Sequence, residues 1–313
     1  MRNVPGLCQQ VKRIPVWIRH QAESWRDRVE VAVVGKRIPR DEILRNLREK
    51  VRRGEPIVGC GAGTGISAKM AEAGGADLII IYNSGRYRMA GRGSLAGLMP
   101  YGDANAIVVE MAREVIPVVR HTPVLAGVCG TDPFREMDVF LEELARLKFS
   151  GVQNFPTVGL IDGVFRANLE GTGMGYDREV EMIRLAHQMG LLTAPYVFDE
   201  EQARKMTEAG ADVLVPHVGL TAAGTIGAKV TLSLDEAIER VLAMAKAAKE
   251  VNPDIIVLCH GGPFDEPANV GRALEKMPGI AGFFGASSIE RLPTERAIRE
   301  QVRAFKSLKL SGA

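Results

Sequence analysis

From residue 56 to the C-terminus, short apolar runs alternate with amphipathic helical stretches eight times. This alternation predicts parallel strands joined by helical crossovers, and eight such units in roughly 250 residues have the size of a closed barrel. We therefore expect an α/β fold of the (β/α)8 TIM-barrel type. The predicted strands are 56–63, 77–83, 123–130, 151–156, 192–198, 211–218, 255–259 and 280–285.

The composition excludes several classes of protein. Of the 313 residues, 46% are hydrophobic and 25% charged, as in a globular domain with a large core. A net charge of +2 gives no general attraction to nucleic acid or anionic membranes. No apolar stretch approaches the roughly 20 residues needed to cross a bilayer. Four cysteines without metal-type spacing favour a reduced, cytoplasmic location.

The first 40 residues differ from the rest, with nine basic and three acidic side chains and no regular pattern. We expect residues 1–39 to be an N-terminal extension outside the core and residues 40–313 to form the barrel domain. A helix over 40–53 is expected to cover the bottom of the barrel. Because barrels often associate through their outer helices, we also expect a homo-oligomer.

Two predicted connections, 84–102 and 157–175, are longer than compact folds normally use. Long loops of this kind are usually lids or binding loops. The first is rich in glycine and arginine, including Arg86, Arg88 and Arg92. It is interpreted either as part of the active site, or as an oligomer contact or simply a solvated loop.

Glycines and serines follow the last two predicted strands. Active sites of such barrels lie at the C-terminal ends of the strands, and the loops after strands seven and eight commonly hold a phosphate. Gly261 and Gly262 after strand seven, with Ser287 and Ser288 after strand eight, therefore predict a phosphoryl site. The alternative is that these glycines only make tight turns.

The segment GAGTG at 61–65 links the first strand to its helix. It lacks the third glycine of a dinucleotide fingerprint at the required spacing. We interpret Gly61, Gly63 and Thr64 as a close wall of the barrel mouth that faces a carboxylate or phosphate. Polar residues that close strands two and four are expected to project into the same cup, namely Asn83, Ser84, Arg86 and Asn154.

Three titratable residues at strand ends are candidates for catalysis. His217 ends strand six and His260 ends strand seven, so the two imidazoles are expected to be neighbours that act as acid and base, bind phosphate or ligate a metal. Asp132 after strand three could act as a base, hold a hard divalent ion, or cap the helix that follows.

Several long segments resemble the phosphoenolpyruvate hydrolase-like family of TIM-barrel proteins, also described as a TIM-barrel signal transduction family. They are residues 59–105, the segment GVQNFPTVGLIDG at 151–163, VPHVGLT and LCHGGP. The family is related to phosphonopyruvate hydrolases and isocitrate lyase-type barrels, so the resemblance implies a small keto or enol acid as substrate and Mg²⁺ as a candidate cofactor. The relatives' Asp-x-Asp metal motif has no counterpart here, and Asp132 is the candidate ligand.

The residues and the resemblance together predict a hydrolase of phosphoenolpyruvate or a related phosphonate. Gly261, Gly262, Ser287 and Ser288 would hold the phosphoryl group, while His217 or His260 would protonate the leaving group. One alternative is a carbon–carbon lyase acting on a small keto acid. Another is a ligand-binding regulatory barrel without catalysis.

Overall fold

The computed structural model describes residues 37–310, so most of the predicted extension, residues 1–36, lies outside the described residues. Short parallel strands form the sheet in the order β5-β4-β3-β2-β1-β9-β8-β7-β6. Their bounds are β1 Ile57–Gly61, β2 Leu78–Ile81, β3 Val124–Gly127, β4 Gly151–Gln153, β5 Leu192–Thr193, β6 Tyr196–Val197, β7 Val213–Pro216, β8 Ile256–Cys259 and β9 Gly282–Gly285.

The predicted fifth strand is divided into β5 and β6, and this division is what closes the barrel. Between the two pieces, Ala194 donates its N–H to Val152 on β4 (3.0 Å), and Pro195 accepts from Val215 on β7 (2.9 Å). The interrupted strand therefore bridges the two ends of the sheet. The predicted (β/α)8 barrel is confirmed, with strand five broken at a proline that has no N–H to donate.

The helix α1, Arg40–Arg52, lies across the N-terminal ends of the strands. Its first residue, Arg40, forms an ion pair of 2.6 Å with Asp212 just before β7. Near its end, Lys50 pairs at 2.7 Å with Asp77 just before β2. The helix therefore covers the bottom of the barrel, as its position in the sequence predicts, and leaves the C-terminal mouth to the loops.

The other helices surround the barrel, and most of them pack an apolar face on the sheet. Their bounds are α2 Gly65–Ala73, α3 Asn83–Met89, α4 Ala104–Val115, α5 Met137–Arg146, α6 Gly163–Gly171, α7 Tyr176–Gln188, α8 Glu200–Glu208, α9 Leu234–Val251, α10 Pro267–Lys276 and α11 Leu292–Lys306. Within residues 37–310 we find no helix with the length and apolarity that a bilayer crossing needs.

The two connections predicted as long loops contain helices. The segment 84–102 begins in α3 and continues through a 3-10 turn, Ser94–Leu98. The segment 157–175 contains a 3-10 turn, Val158–Leu160, followed by α6. Their glycines hid the helical pattern. Both segments contribute side chains to the mouth of the barrel, as described below.

Candidate active site

Two histidines meet at the mouth of the barrel. His217 follows β7 and His260 follows β8, and an isolated parallel bridge joins the two residues. Their ring centroids are 4.6 Å apart, and each residue is only 6% exposed. The predicted proximity of the two imidazoles is therefore what the structure shows.

Backbone contacts fix opposite tautomers in this pair. The N–H of Gly219 donates to Nδ1 of His217 (3.1 Å), so a neutral His217 carries its proton on Nε2. Nδ1 of His260 lies 2.6 Å from the carbonyl oxygen of Phe284, which can only accept. His260 therefore carries its proton on Nδ1 and presents a lone pair at Nε2.

Burial keeps both rings neutral. It lowers the pKa of His217 well below its ordinary value, with the neighbouring His260 as a smaller cause. It also lowers the pKa of His260 to about 4. At neutral pH the pair therefore offers one hydrogen-bond donor and one proton acceptor, and neither ring carries charge.

A buried ion pair lies beside the histidines. Arg88 on α3 donates to Oε1 of Glu290 through Nε (3.0 Å) and Nη2 (2.7 Å), and both side chains are almost fully buried. The other carboxylate oxygen, Oε2, accepts the N–H of Gly63 (2.5 Å). Burial raises the pKa of Glu290, and Arg88 offsets part of this effect. Nη1 of Arg88 donates to Oγ of Ser84 (3.0 Å), which lies at the cleft.

The cleft itself is narrow in this conformation. It is lined by both histidines, Arg88 and Tyr196, and by side chains from the loops after β2, β4, β7 and β9. The space within it is about 30 Å³, enough for on the order of one water molecule. A larger molecule would enter only if loops such as the one that carries Leu95 or the one that carries Thr221 moved outward.

Sequence reasoning missed Tyr196, whose aromatic ring packs against both imidazoles. Its centroid lies 4.7 Å from that of His260 and 5.1 Å from that of His217. Asn154 holds its backbone, because Oδ1 accepts the N–H of Tyr196 (2.7 Å) and Nδ2 donates to its carbonyl (3.2 Å). The available signal was a tyrosine inside a strand whose neighbouring strand ends at His217.

Of the residues predicted after the last strands, Ser287 lines the cleft. Gly262 donates its N–H to the carbonyl of Gly219 (2.8 Å), so this amide is already occupied. Gly261 has a φ of +83° and packs so closely on Gly219 that a Cβ would lie 2.2 Å from its carbonyl oxygen. Ser288 has a buried hydroxyl without a partner among the described residues.

Residues of the predicted wall have structural contacts. A Cβ on Gly61 would lie 2.8 Å from that of Ala286, and one on Gly63 would lie 2.2 Å from the carbonyl oxygen of Gly85. Thr64 caps α2 and forms a capping box with Ser67. None of the three predicted wall residues lines the cleft described above.

The polar residues predicted after strands two and four have different surroundings. Ser84 lines the cleft. Asn83 donates to the carbonyl of Gly97 (2.8 Å), and its Oδ1 is buried without a partner among residues 37–310. Arg86 lies outside the cleft and pairs with Glu110 (3.3 Å) on the surface. Asn154 donates to Glu179 (2.6 Å), whose pKa burial raises to about 7.

Asp132 lies apart from the histidines, in a different surface depression. Its Oδ1 accepts the N–H of Phe134 (3.0 Å), while Oδ2 accepts from Asn105 (3.0 Å) and Arg135 (2.5 Å). Although burial alone would raise it, these hydrogen bonds hold the pKa of Asp132 below its ordinary value. Asp132 does not cap the next helix, since α5 begins at Met137 and Glu136 is its N-cap. Its carboxylate instead holds a local turn at Phe134 and pairs with Arg135.

Mg²⁺ is usually held by one or two carboxylates together with waters and substrate oxygens. In the part of the chain that the structure describes, no three His, Cys, Asp or Glu side chains gather into a metal site. Both oxygens of Asp132 are occupied, and Arg135 adds a positive charge beside them. Glu290 is likewise occupied by Arg88 and Gly63. The residues present do not fit Mg²⁺.

Comparison with known proteins identifies one family. The model of the family described as "Phosphoenolpyruvate hydrolase-like" matches residues 42–308. Two tomato (Solanum lycopersicum) proteins, the ToMV susceptible protein tm-1(GCR26) and the ToMV resistance protein Tm-1(GCR237), are each 60% identical, over 268 and 271 residues. The matches cover 86% and 87% of this chain, which spans only 36% of the length of either relative.

Solved structures share the fold at low sequence identity. Oxaloacetate acetylhydrolase superposes with a TM-score of 0.56 at 16% identity, covering 88% of this chain and 90% of that one. A phosphonopyruvate hydrolase in complex with oxalate and Mg²⁺ gives 0.54 at 14% identity, covering 86% and 87%. The 2,3-dimethylmalate lyase of the PEP mutase/isocitrate lyase superfamily gives 0.51 at 16%, covering 87% and 91%. These likenesses support the barrel.

Proposed function

This chain belongs to the phosphoenolpyruvate hydrolase-like family, and we propose that it is an enzyme that hydrolyses a small phosphorylated or phosphono keto or enol acid, of the phosphoenolpyruvate or phosphonopyruvate type. The observation that carries the proposal is the buried pair of neutral imidazoles with opposite tautomers. His260 offers a proton acceptor and His217 a hydrogen-bond donor, and the centroids of the two rings are 4.6 Å apart. This arrangement suits general base catalysis on a bound anion.

In the proposed reaction, Nε2 of His260 takes a proton from water as the water oxygen bonds to phosphorus. The P–O bond of phosphoenolpyruvate, or the P–C bond of phosphonopyruvate, breaks, and its electron pair leaves with the enolate of pyruvate. His260 then returns the proton to the enolate carbon. Either substrate gives pyruvate and phosphate.

His217 has a different role in this proposal. A neutral imidazole that gave up its Nε2 proton would become an imidazolate, so His217 acts as a hydrogen-bond donor to developing negative charge. Arg88, Ser84 and Ser287 surround the same cleft and are proposed to contact the carboxylate or phosphoryl oxygens. Because the described donors do not fit Mg²⁺, no step is assigned to a metal.

The test is release of pyruvate and of phosphate from both substrates by the purified chain, with Mg²⁺ and with a chelator. We expect turnover in both buffers, and a loss of about a hundredfold or more in His260→Gln, since general base catalysis contributes that much. His121→Gln is the matched control, because His121 is exposed and lies at the opposite end of the barrel from the cleft.

The other outcomes decide between the remaining functions. Substrate binding without turnover in the wild-type chain would favour the regulatory barrel. Carbon–carbon cleavage of a keto diacid, with no phosphate released from either phosphorus compound, would favour the lyase. Full activity in His260→Gln would refute the assignment of the base.

A further inference from the structure

Tyr196 lines the cleft, and its hydroxyl has no hydrogen-bond partner of normal geometry among the described residues. Tyr196 is 1% exposed, and its hydroxyl is buried without a partner among residues 37–310. A buried hydroxyl without a hydrogen-bond partner lowers the stability of the folded protein. An oxygen atom of a ligand bound in the cleft would be such a partner.

The backbone and ring of this residue are held from several sides. Its N–H donates to Asn154 (2.7 Å), and its carbonyl accepts from the hydroxyl of Tyr176 (2.6 Å). The ring packs on both imidazoles, and Phe155 lies at 6.3 Å between centroids. A group fixed this well needs no reorganisation when charge develops beside it, which is the condition for electrostatic catalysis.

We infer that Tyr196 is a further catalytic residue, whose hydroxyl donates a hydrogen bond to the enolate oxygen that forms when the bond to phosphorus breaks. This inference rests on the proposed function. Both substrates named above lead to the same enolate of pyruvate, so one donor serves either reaction. Burial, with the neighbouring hydroxyl of Tyr82 as a further cause, raises the pKa of Tyr196 well above its ordinary value, so the hydroxyl is protonated at neutral pH.

The inference also specifies the kind of ligand that the site binds. With Nε2–H of His217 as the second donor, the cleft offers two neutral donors to one oxyanion and the lone pair of His260 to a proton. Once the loops that carry Leu95 and Thr221 have moved outward, the ligand that these groups suit is a small planar acid with an oxyanion next to its carboxylate. Oxalate has this shape and charge without being a substrate for cleavage at phosphorus, and it serves as the probe.

The experiment compares Tyr196→Phe with wild type in oxalate binding by calorimetry, in turnover, and in thermal unfolding. The substitution keeps the ring and removes only the hydroxyl. We expect oxalate affinity to fall at least tenfold and kcat to fall about 10²-fold or more, as for loss of one oxyanion donor. The melting temperature should stay the same or rise, since Tyr82 is the neighbouring hydroxyl and it makes no hydrogen bond of normal geometry with Tyr196.

Two control variants separate the catalytic role from a structural one. Tyr101→Phe alters an exposed tyrosine and should change none of the three readouts. Tyr176→Phe removes a hydroxyl that is hydrogen-bonded at 2.6 Å, so it should lower the melting temperature. A Tyr196→Phe variant that also melts lower would indicate a structural role and overturn the inference.

The remaining outcomes distinguish this inference from the proposed function. If wild type releases no phosphate but its oxalate affinity falls in Tyr196→Phe, the hydrolase is refuted and Tyr196 remains the anion donor of the site. If wild type turns over and Tyr196→Phe equals it in kcat and oxalate affinity, the donor role is refuted and the hydrolase stands. Absence of oxalate binding in wild type also refutes the donor role.

Discussion

The buried Arg88–Glu290 pair gives a prediction whose size follows from its geometry. Arg88 makes two hydrogen bonds to Glu290, and the two side chains are 2% and 1% exposed. Removing one partner leaves the other charge buried without compensation, which costs about 3–5 kcal/mol in proteins. Arg88→Met and Glu290→Gln should therefore each lower the free energy of unfolding by about that amount.

The free energy of unfolding that the double variant loses should be much smaller than the sum of the losses in the two single variants. Independent effects would add to roughly 6–10 kcal/mol, whereas the double variant leaves no charge buried. The amide oxygen that Glu290→Gln introduces can still accept the N–H of Gly63, so that contact survives. We expect the double variant to be no less stable than the weaker single variant, with a coupling free energy of several kcal/mol.

Urea unfolding followed by far-UV circular dichroism measures these differences, at one temperature and pH for all variants. The control is Arg86→Met, two residues away on α3, because Arg86 and Glu110 form a surface pair with side chains 34% and 65% exposed. The free energy of unfolding of Arg86→Met should lie within about 1 kcal/mol of the wild-type value. If Arg88→Met does not fold, Glu290→Gln and the double variant still give the comparison. Additive losses would refute the ion-pair reasoning.

Two further predictions concern pH and assembly. Because burial lowers the pKa of His260 to about 4, the base stays unprotonated as pH falls, so kcat/KM should decline only near pH 4; a decline centred near 6.5 would contradict its role. The helix α11 exposes three apolar side chains at one-turn spacing, Ile298, Val302 and Phe305, so we expect a homo-oligomer. Light scattering after gel filtration should give a mass that is a multiple of 33.9 kDa. The Ile298→Asp variant should have a lower mass.

The barrel could be predicted from the sequence because buried parallel strands are apolar on both faces. The residues of β2 and β7 are buried without exception, which is the condition that produces continuous apolar runs. The break in the fifth strand could not be predicted this way. The hydrophobic pattern of a strand does not change when a single residue interrupts its hydrogen bonds. The closure depends on one such contact, in which the carbonyl of Pro195 accepts the N–H of Val215.

The candidate site was only partly accessible to sequence reasoning. The rule that chemistry lies at the C-terminal ends of strands places His217 and His260 together, but it does not say which neighbouring side chains turn toward them. Arg86 and Arg88 are two residues apart, and on a helix such residues face different directions. Only the helical conformation of Asn83–Met89, hidden in a glycine-rich segment, buries Arg88 and leaves Arg86 at the surface.

The charges of the cleft bear on which state of a substrate it stabilises. Glu290 balances the positive charge of Arg88, and both histidines are neutral, so the described side chains give the cleft little net positive charge. Charge that stabilised the bound substrate and the transition state equally would tighten binding without raising kcat. Fixed neutral donors, such as the hydroxyl of Tyr196, interact most strongly with charge that appears late, on the enolate oxygen. Under the proposed function, this arrangement would stabilise the transition state of bond cleavage more than the bound substrate, which is the difference that catalysis requires.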